Sequence, residues 1–241
     1  MSTLIRDYER FAKEANEICK GRVYTDHLRR YAYGVDASCY SYLPKVVVKA
    51  EDEREVRRLI RLCQQCGTPF TFRAAGSSLS GQCSSEDVLI VCNDGFKKME
   101  VIDDGKALKC ECGVIGSDAN DLLKPYNRKI GPDPATLATA LVGGILNNNS
   151  SGMCCGTAQN SYKTIRSIRV VLLDGSILDT SDQKSINQFL KEKPQMVEDI
   201  LQLRKDILAD EELTHLIHHK YKIKNTTGYG LNSLVDFEDI I

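Results

Sequence analysis

The residues most able to do chemistry lie at 73–82: Arg73, Ala74, Ala75, Gly76, Ser77, Ser78, Leu79, Ser80, Gly81 and Gln82. Most are small. Gly76 and Gly81 permit backbone geometry that a side chain would forbid. The three serines add hydroxyls, and the bare N–H groups can converge on one anion, a nest that suits a phosphate or pyrophosphate. An ordinary Gly/Ser surface loop has the same composition, so this stretch alone leaves both readings open. A second stretch has the same character. Gly131, Pro132, Asp133, Pro134, Ala135 and Thr136 lead through Thr139 to Gly143, Gly144, Asn147, Asn148, Asn149, Ser150, Ser151 and Gly152. Two such loops imply a long ligand with a phosphate-like middle. Neither has the G-x-G-x-x-G or G-x-x-x-x-G-K-[ST] spacing of the commoner nucleotide sites.

The elements that must position these loops are legible from periodicity. Residues 45–49 are a β-branched run and read as a strand. Asp52 with Glu55 has the form of a capping box. Val56, Leu59, Ile60 and Cys63 make one helical face, and Gly67 is placed to close that helix. Residues 70–73 form the strand that delivers the first loop, so a β–α–β unit presents it at the end where α/β proteins bind ligands. Another buried strand is expected at 88–91. Residues 99–102 and 108–112 flank the turn signal Asp103, Asp104, Gly105, Lys106, and 169–173 with 177–178 form a second hairpin about Asp174 and Gly175. Hairpins mean antiparallel pairing. The fold class is therefore α+β: a two-lobed domain with a small β–α–β lobe and a larger antiparallel-sheet lobe flanked by helices.

The rest is less specific. Residues 3–20 read as a helix with Leu4, Tyr8, Phe11, Ala15 and Ile18 in register, and 24–42 as an irregular, tyrosine-rich arm. Short helical segments are expected at 117–123 and 138–146. From Ser181 the chain turns charge-rich and helical, with a stripe at Val197, Ile200, Leu201, Ile207 and Leu208; 221–231 reads as loop. His215, His218 and His219 have a spacing that can ligate metal, but no carboxylate or cysteine partner is evident, and a solvated helix end is the preferred reading. The boundaries expected are a helical arm at 1–39, a small lobe at 40–95, a large lobe at 96–235 with a helical excursion at 182–221, and a truncated end at 236–241.

Composition excludes several classes. The 241 residues are 42% hydrophobic with a net charge of −1. That charge gives no general reason to bind nucleic acid or an anionic membrane, and no apolar run is long enough to span a bilayer. The N-terminus carries charges where a secretory signal needs an apolar core, so a cytoplasmic location is expected. The ten cysteines are scattered; Cys63 and Cys66 form one CxxC with no second. Free thiols in reducing surroundings, with no metal site, fit that pattern.

The motifs RAAGSSLSGQ (73–82), GPDPATLATALVGGILNNNSSG (131–152) and KNTTGYGL (224–231) together resemble the FAD-linked oxidases of the vanillyl-alcohol oxidase and p-cresol methylhydroxylase type, and within them the D-lactate dehydrogenase and glycolate oxidase branch. The resemblance covers about 40–235. It implies FAD as cofactor. Backbone N–H groups at 75–82 (Ala75, Gly76, Ser77, Ser78, Leu79, Gly81, Gln82) would hold the pyrophosphate. Pro132 and Asp133 would border the ring system, Thr139 would supply a hydroxyl, and Gly143, Gly144, Asn149, Ser150 and Gly152 close backbone contacts. Relatives with attached flavin carry a histidine after the first loop's glycines; here that position is Ser77, which implies non-covalent FAD. The full-length protein would oxidise a D-2-hydroxy acid of the D-lactate or glycolate type and pass electrons to an acceptor. The family's substrate-cap and C-terminal parts lie past the KNTTGYGL segment, so no catalytic residue is named, and this stretch alone is expected to be inactive. Lys224, Asn225 and Tyr229 match the family's segment and would approach the flavin; His27 is read as structural. The competing readings are a non-catalytic flavin-binding module, an FAD-linked oxidase of another alcohol or sugar, and a nucleotide binder without flavin.

Overall fold

The computed structural model describes residues 6–224 and 230–237. Leu4, Asn225, Tyr229 and the residues from 238 onward, on which some of the expectations above fall, lie outside the described residues. Chain contacts define two units. The first holds Met1–Ile130, Pro134–Asn147 and Leu173–Ser176; the second holds Gly131–Asp133, Asn148–Leu172 and Ile177–Ile241.

In the first unit, α1 (Tyr8–Ile18) starts at Asp7, whose carboxylate accepts the Arg10 N–H, and buries Phe11 and Ala15. Residues 24–42, expected to be irregular, are more ordered. A two-residue edge strand β1 (Val23–Tyr24) and a helix α2 (His27–Tyr33) occupy them. The helix is capped by Asp26 and has no fully buried residue, so its apolar periodicity is too weak to read in advance.

Strand β2 (Val46–Lys49) leads to α3 (Glu53–Cys66), which buries Val56, Leu59, Ile60, Leu62, Cys63 and Cys66. Burying each leucine or isoleucine contributes about 1.5–3 kcal/mol, which outweighs the helix's modest intrinsic propensity. Its cap forms one residue off the expected pattern. Asp52 accepts the Glu55 N–H at 2.8 Å, but the Glu55 carboxylate takes the Glu51 N–H at 2.8 Å. The same carboxylate is held by both guanidinium nitrogens of Arg22, at 2.6 and 2.9 Å. Gly67 ends the helix in the left-handed region, φ +65°, its N–H reaching the Cys63 and Gln64 carbonyls.

Strands β3 (Phe70–Arg73) and β4 (Val88–Val91) complete a four-stranded sheet of order β1-β2-β4-β3. β4 runs parallel to both neighbours, Val46 opposite Val88 and Phe70 opposite Val88, while β1 pairs antiparallel at the edge. The central position of β4 explains its four buried apolar residues in a row. The β–α–β unit is therefore split by the later strand.

The antiparallel part consists of two separate two-stranded ladders. β5 (Met99–Ile102) pairs with β6 (Ala107–Cys110) in the first unit, turning through Asp103, Asp104 and Gly105, all at positive φ. Then follow α4 (Gly116–Leu123) and the six-residue α5 (Val142–Asn147). Val114, Ala119 and Val142 form a core with Met99, Leu108 and Ile130 packed on it.

The second unit holds α6 (Ser161–Thr164) and the ladder β7 (Arg169–Val171) with β8 (Ile177–Asp179). It continues into α7 (Gln183–Glu192), α8 (Pro194–Ala209), α9 (Glu211–Lys220) and the short α10 (Ser233–Asp236). These helices bury few residues (Phe189, Ile207 and Ile217) and leave Met196, Leu201, Leu203, Leu208 and Leu216 more than two-fifths exposed. Among the described residues, no helix is long and apolar enough to cross a membrane.

Candidate cofactor site

In the first unit the loop at 75–82 leaves the carboxyl end of β3. Gly76 and Gly81 sit at φ +77° and +75°. A Cβ on Gly81 would lie 2.8 Å from the Tyr40 ring, so the main chain lies flat against that side chain. Within the loop, Ser78 Oγ donates to Gln82 Oε1 at 2.7 Å and accepts the Ser80 N–H at 3.1 Å. The Gly81 carbonyl accepts the Ser84 N–H at 3.1 Å. Among the described residues, the N–H groups of Ala75, Gly76, Ser77, Leu79, Gly81 and Gln82 have no acceptor. Six such donors on a half-exposed backbone suit an anion such as a pyrophosphate, although solvent also satisfies exposed N–H groups in an ordinary loop. Leu79 stands out from the loop, 78% exposed.

Arg73 is a residue whose role sequence reasoning missed. Its guanidinium folds beneath the loop, where a Cβ on Gly76 would lie 2.2 Å from Nη2, and its Nη1 donates to the Tyr33 carbonyl at 3.3 Å. It places a positive charge beside Gly76 in the loop. A basic residue at the end of the strand, just before the glycines, was the available signal.

Gly143 and Gly144 open α5 in the same unit. A Cβ on Gly143 would come within 2.7 Å of Cys112 Cβ, and one on Gly144 within 3.5 Å of Ala74 Cβ. The start of α5 therefore lies beside the first loop, two motifs seventy residues apart in sequence. Thr139 is exposed, its hydroxyl donating to the Thr136 carbonyl at 3.2 Å.

In the second unit, Pro132 is buried and Asp133 is tied to the loop that follows Gly152. The Asp133 carboxylate accepts the N–H groups of Cys154 and Cys155, each at 3.2 Å. A Cβ on Gly152 would lie 2.0 Å from the Asp133 carbonyl oxygen, which requires glycine there. The Cys155 thiol, and then the N–H groups of Cys155 and Cys154, hold the Asp133 carboxyl below the usual carboxylate range. Asn149, at φ +41°, accepts the Tyr162 N–H at 3.0 Å, and the buried Ser150 accepts both the N–H and the hydroxyl of Ser161 through its carbonyl.

The ten cysteines are all free. Burial pushes the thiols of Cys19, Cys63 and Cys92 up to about 12. Among the described residues no three His, Cys, Asp or Glu side chains gather as metal ligands would.

This chain belongs to the FAD binding domain family, whose model matches residues 44–181. It is 28% identical over 164 residues to D-2-hydroxyglutarate dehydrogenase of Escherichia coli (strain K12), covering 66% of this chain and 16% of that protein. It is 26% identical over 157 residues to the glycolate oxidase subunit GlcD of Bacillus subtilis (strain 168), covering 63% of this chain and 33% of that protein. The chain thus spans a third or less of the length of these relatives. Among solved structures, alkyldihydroxyacetonephosphate synthase superposes with a TM-score of 0.61 at 19% identity over 77% of this chain and 36% of that one. p-Cresol methylhydroxylase gives 0.60 at 16% identity over 72% and 35%. These structural likenesses show the fold, and with it the α+β class, and the family match over 44–181 takes in the first two of the three motifs.

Proposed function

We propose that this chain is the FAD-binding part of a flavoprotein that dehydrogenates a D-2-hydroxy acid and hands the electrons to a separate acceptor. The observation that carries the reading is the set of N–H groups without a protein acceptor at Ala75, Gly76, Ser77, Leu79, Gly81 and Gln82, with the Arg73 guanidinium beside Gly76. Those groups bind the pyrophosphate oxygens, and Arg73 offsets their charge without a lysine in the loop. Ser78 stiffens the loop through its two internal bonds. Gly143, Gly144 and Thr139 are the further candidate cofactor residues of the first unit, and Pro132, Asp133, Asn149, Ser150 and Gly152 are those of the second. When bound, the flavin supplies a hydride acceptor. The protein's part is to hold the ring and keep water from it. No residue of this chain is assigned as the base that takes the hydroxyl proton. The hydroxy-acid substrate rests on the similarity to D-2-hydroxyglutarate dehydrogenase and to a glycolate oxidase subunit.

FAD binds here without a covalent bond, because Ser77 stands where attached-flavin relatives carry a histidine. The cytoplasm suits ten unpaired cysteines. The lobe boundaries at 40–95 and 96–235, with an excursion at 182–221, remain part of this proposal. The test is a titration of the purified chain with FAD, following flavin fluorescence and visible absorbance. Saturable one-to-one binding, with all flavin released on denaturation, is expected. A chain that ignores FAD but takes up another nucleotide would overturn the reading.

A further inference from the structure

The loop at 75–82 has few bonds of its own. Ser78 makes two, and the Gly81 carbonyl accepts one more. Small residues and glycines lose much backbone freedom when they are ordered. A loop of this kind keeps one shape only where something outside it holds it there. The first unit supplies such a support from a segment far upstream in the sequence.

Residues 33–42 form a small hairpin. Val35 bridges Ser41 in antiparallel register, and the Gly34 carbonyl accepts the Tyr42 N–H at 2.9 Å. A Cβ on Gly34 would lie 2.1 Å from the Tyr42 carbonyl oxygen, so the two limbs are packed as close as glycine allows. At the tip, Asp36 accepts the Ser38 N–H at 2.8 Å, and Ser38 Oγ accepts the Tyr40 N–H at 3.1 Å. The hairpin is thus ordered by bonds of its own.

It grips the loop at both ends. At the start, the Tyr33 carbonyl accepts Arg73 Nη1 at 3.3 Å, and the guanidinium carbon stands 6.0 Å from the centre of the Tyr33 ring. At the end, the Cys83 thiol donates to Asp36 Oδ2 at 3.4 Å. Burial works against the Asp36 carboxylate, but the Ser38 hydroxyl and N–H, then the Cys83 thiol and the Arg73 charge, leave its value lowered. Tyr40 lies against Gly81, with Cδ2 at 2.8 Å and Cγ at 3.3 Å from the place of a Cβ. The Tyr40 ring stacks on Tyr42, 6.3 Å between centroids and 17° between planes. Among the described residues the Tyr40 hydroxyl has no hydrogen-bond partner, so the ring alone makes the contact.

We propose that the hairpin at 33–42 is a clasp that pre-shapes the anion loop, and that Tyr40 is its positioning residue, acting through Gly81. The ring holds the Gly81 backbone at its φ of +75°, and with it the N–H groups of Gly81 and Gln82. A loop ordered in advance pays less to bind. The identity of the ligand rests on the FAD reading above; the order of the loop is a property of the chain without ligand.

The test measures backbone order parameters at 75–82 by NMR relaxation in the ligand-free chain, together with the FAD dissociation constant, for the parent, Tyr40→Ala and Tyr40→Phe. In the parent and Tyr40→Phe the values should stand near about 0.85, and in Tyr40→Ala they should fall below about 0.6 at Gly81 and Gln82. FAD should bind Tyr40→Ala roughly tenfold more weakly and Tyr40→Phe as it binds the parent. Tyr31→Ala removes another exposed ring of the same arm, one that stacks on His27, and should match the parent. An ordered loop in Tyr40→Ala, an unchanged FAD affinity in a loosened loop, or a Tyr40→Phe as loose as Tyr40→Ala overturns the clasp. Should Tyr40→Ala not fold, Cys83→Ala decides, since it cuts only the Asp36 tie: lower order at Gly81 and Gln82 supports the clasp, and an unchanged loop overturns it. A loop that loosens in Tyr40→Ala, in a chain that ignores FAD, keeps the clasp and removes the cofactor reading. An unchanged loop in a chain that binds FAD removes the clasp alone.

Discussion

At the scale of single residues, two groups carry most of what the loops can do. Gly81 has φ +75° and a Tyr40 carbon 2.8 Å from where its Cβ would be. Gly81→Val must move either the ring or the loop, and a non-glycine residue is strained at this φ by on the order of 1–3 kcal/mol. The expected outcome is at least a tenfold weaker FAD dissociation constant by fluorescence titration, with the far-UV circular dichroism unchanged. Asp133 makes the second case. Its depressed folded-state value means that the unfolded chain takes up the proton more readily than the folded chain. Its contribution is therefore present above the unfolded value near 3.9 and is lost as pH falls through the lower folded value. Urea midpoints of the parent should fall as pH drops below about 4, and Asp133→Asn should be less stable at neutral pH but show a shallower fall.

Among the elements, α3 is tied to the strand-edge region by one bidentate ion pair. Arg22 and Glu55 are each largely covered, 22% and 16% exposed at the side chain, and Arg22 also donates to the Lys49 carbonyl at 2.7 Å. Their sequence separation hides this pair from any local pattern. Burial works against the Glu55 carboxylate, but the Arg22 hydrogen bond and then the Glu51 N–H leave its value lowered. Removing the cation strands a half-buried charge and opens a carbonyl. Arg22→Met should cost about 2 kcal/mol, seen as a lower urea midpoint with an unchanged slope. Strands β2, β3 and β4, helix α3 and both hairpins follow from their runs and turn residues. The separation of β2 from β3 by β4 does not, because strand order is set by long-range pairing that no local window contains.

Across the molecule, the thiols report on the two units independently. Cys39 and Cys154 are exposed, whereas Cys19, Cys63 and Cys92 have values pushed up to about 12 by burial. The thiolate is the reactive form, so labelling of folded protein with a disulfide reagent should modify Cys39 and Cys154 first and Cys19, Cys63 and Cys92 last. Cys19 and Cys63, buried in the first unit, should become reactive together as urea is raised. Cys155 reports the second unit, whose helices bury few residues and should open at lower urea. Simultaneous labelling of Cys155 and Cys63 would show a single cooperative transition instead.

The family came from the resemblance of the motifs; from its own residues the sequence determined that α3 runs between Asp52 and Gly67, the hairpin turns, the buried run at 88–91 and the two glycine-punctuated loops. These depend on local geometry, which nearest neighbours enforce. Only the tertiary structure decided that Arg73 folds under its own loop, that Gly144 lies beside Ala74, that Asp133 is spent on the N–H groups of Cys154 and Cys155, and that Tyr40 lies against Gly81. Each of those joins a side chain to a partner chosen by chain folding. Composition and spacing do not contain that choice, because the partner is supplied by whichever elements pack together.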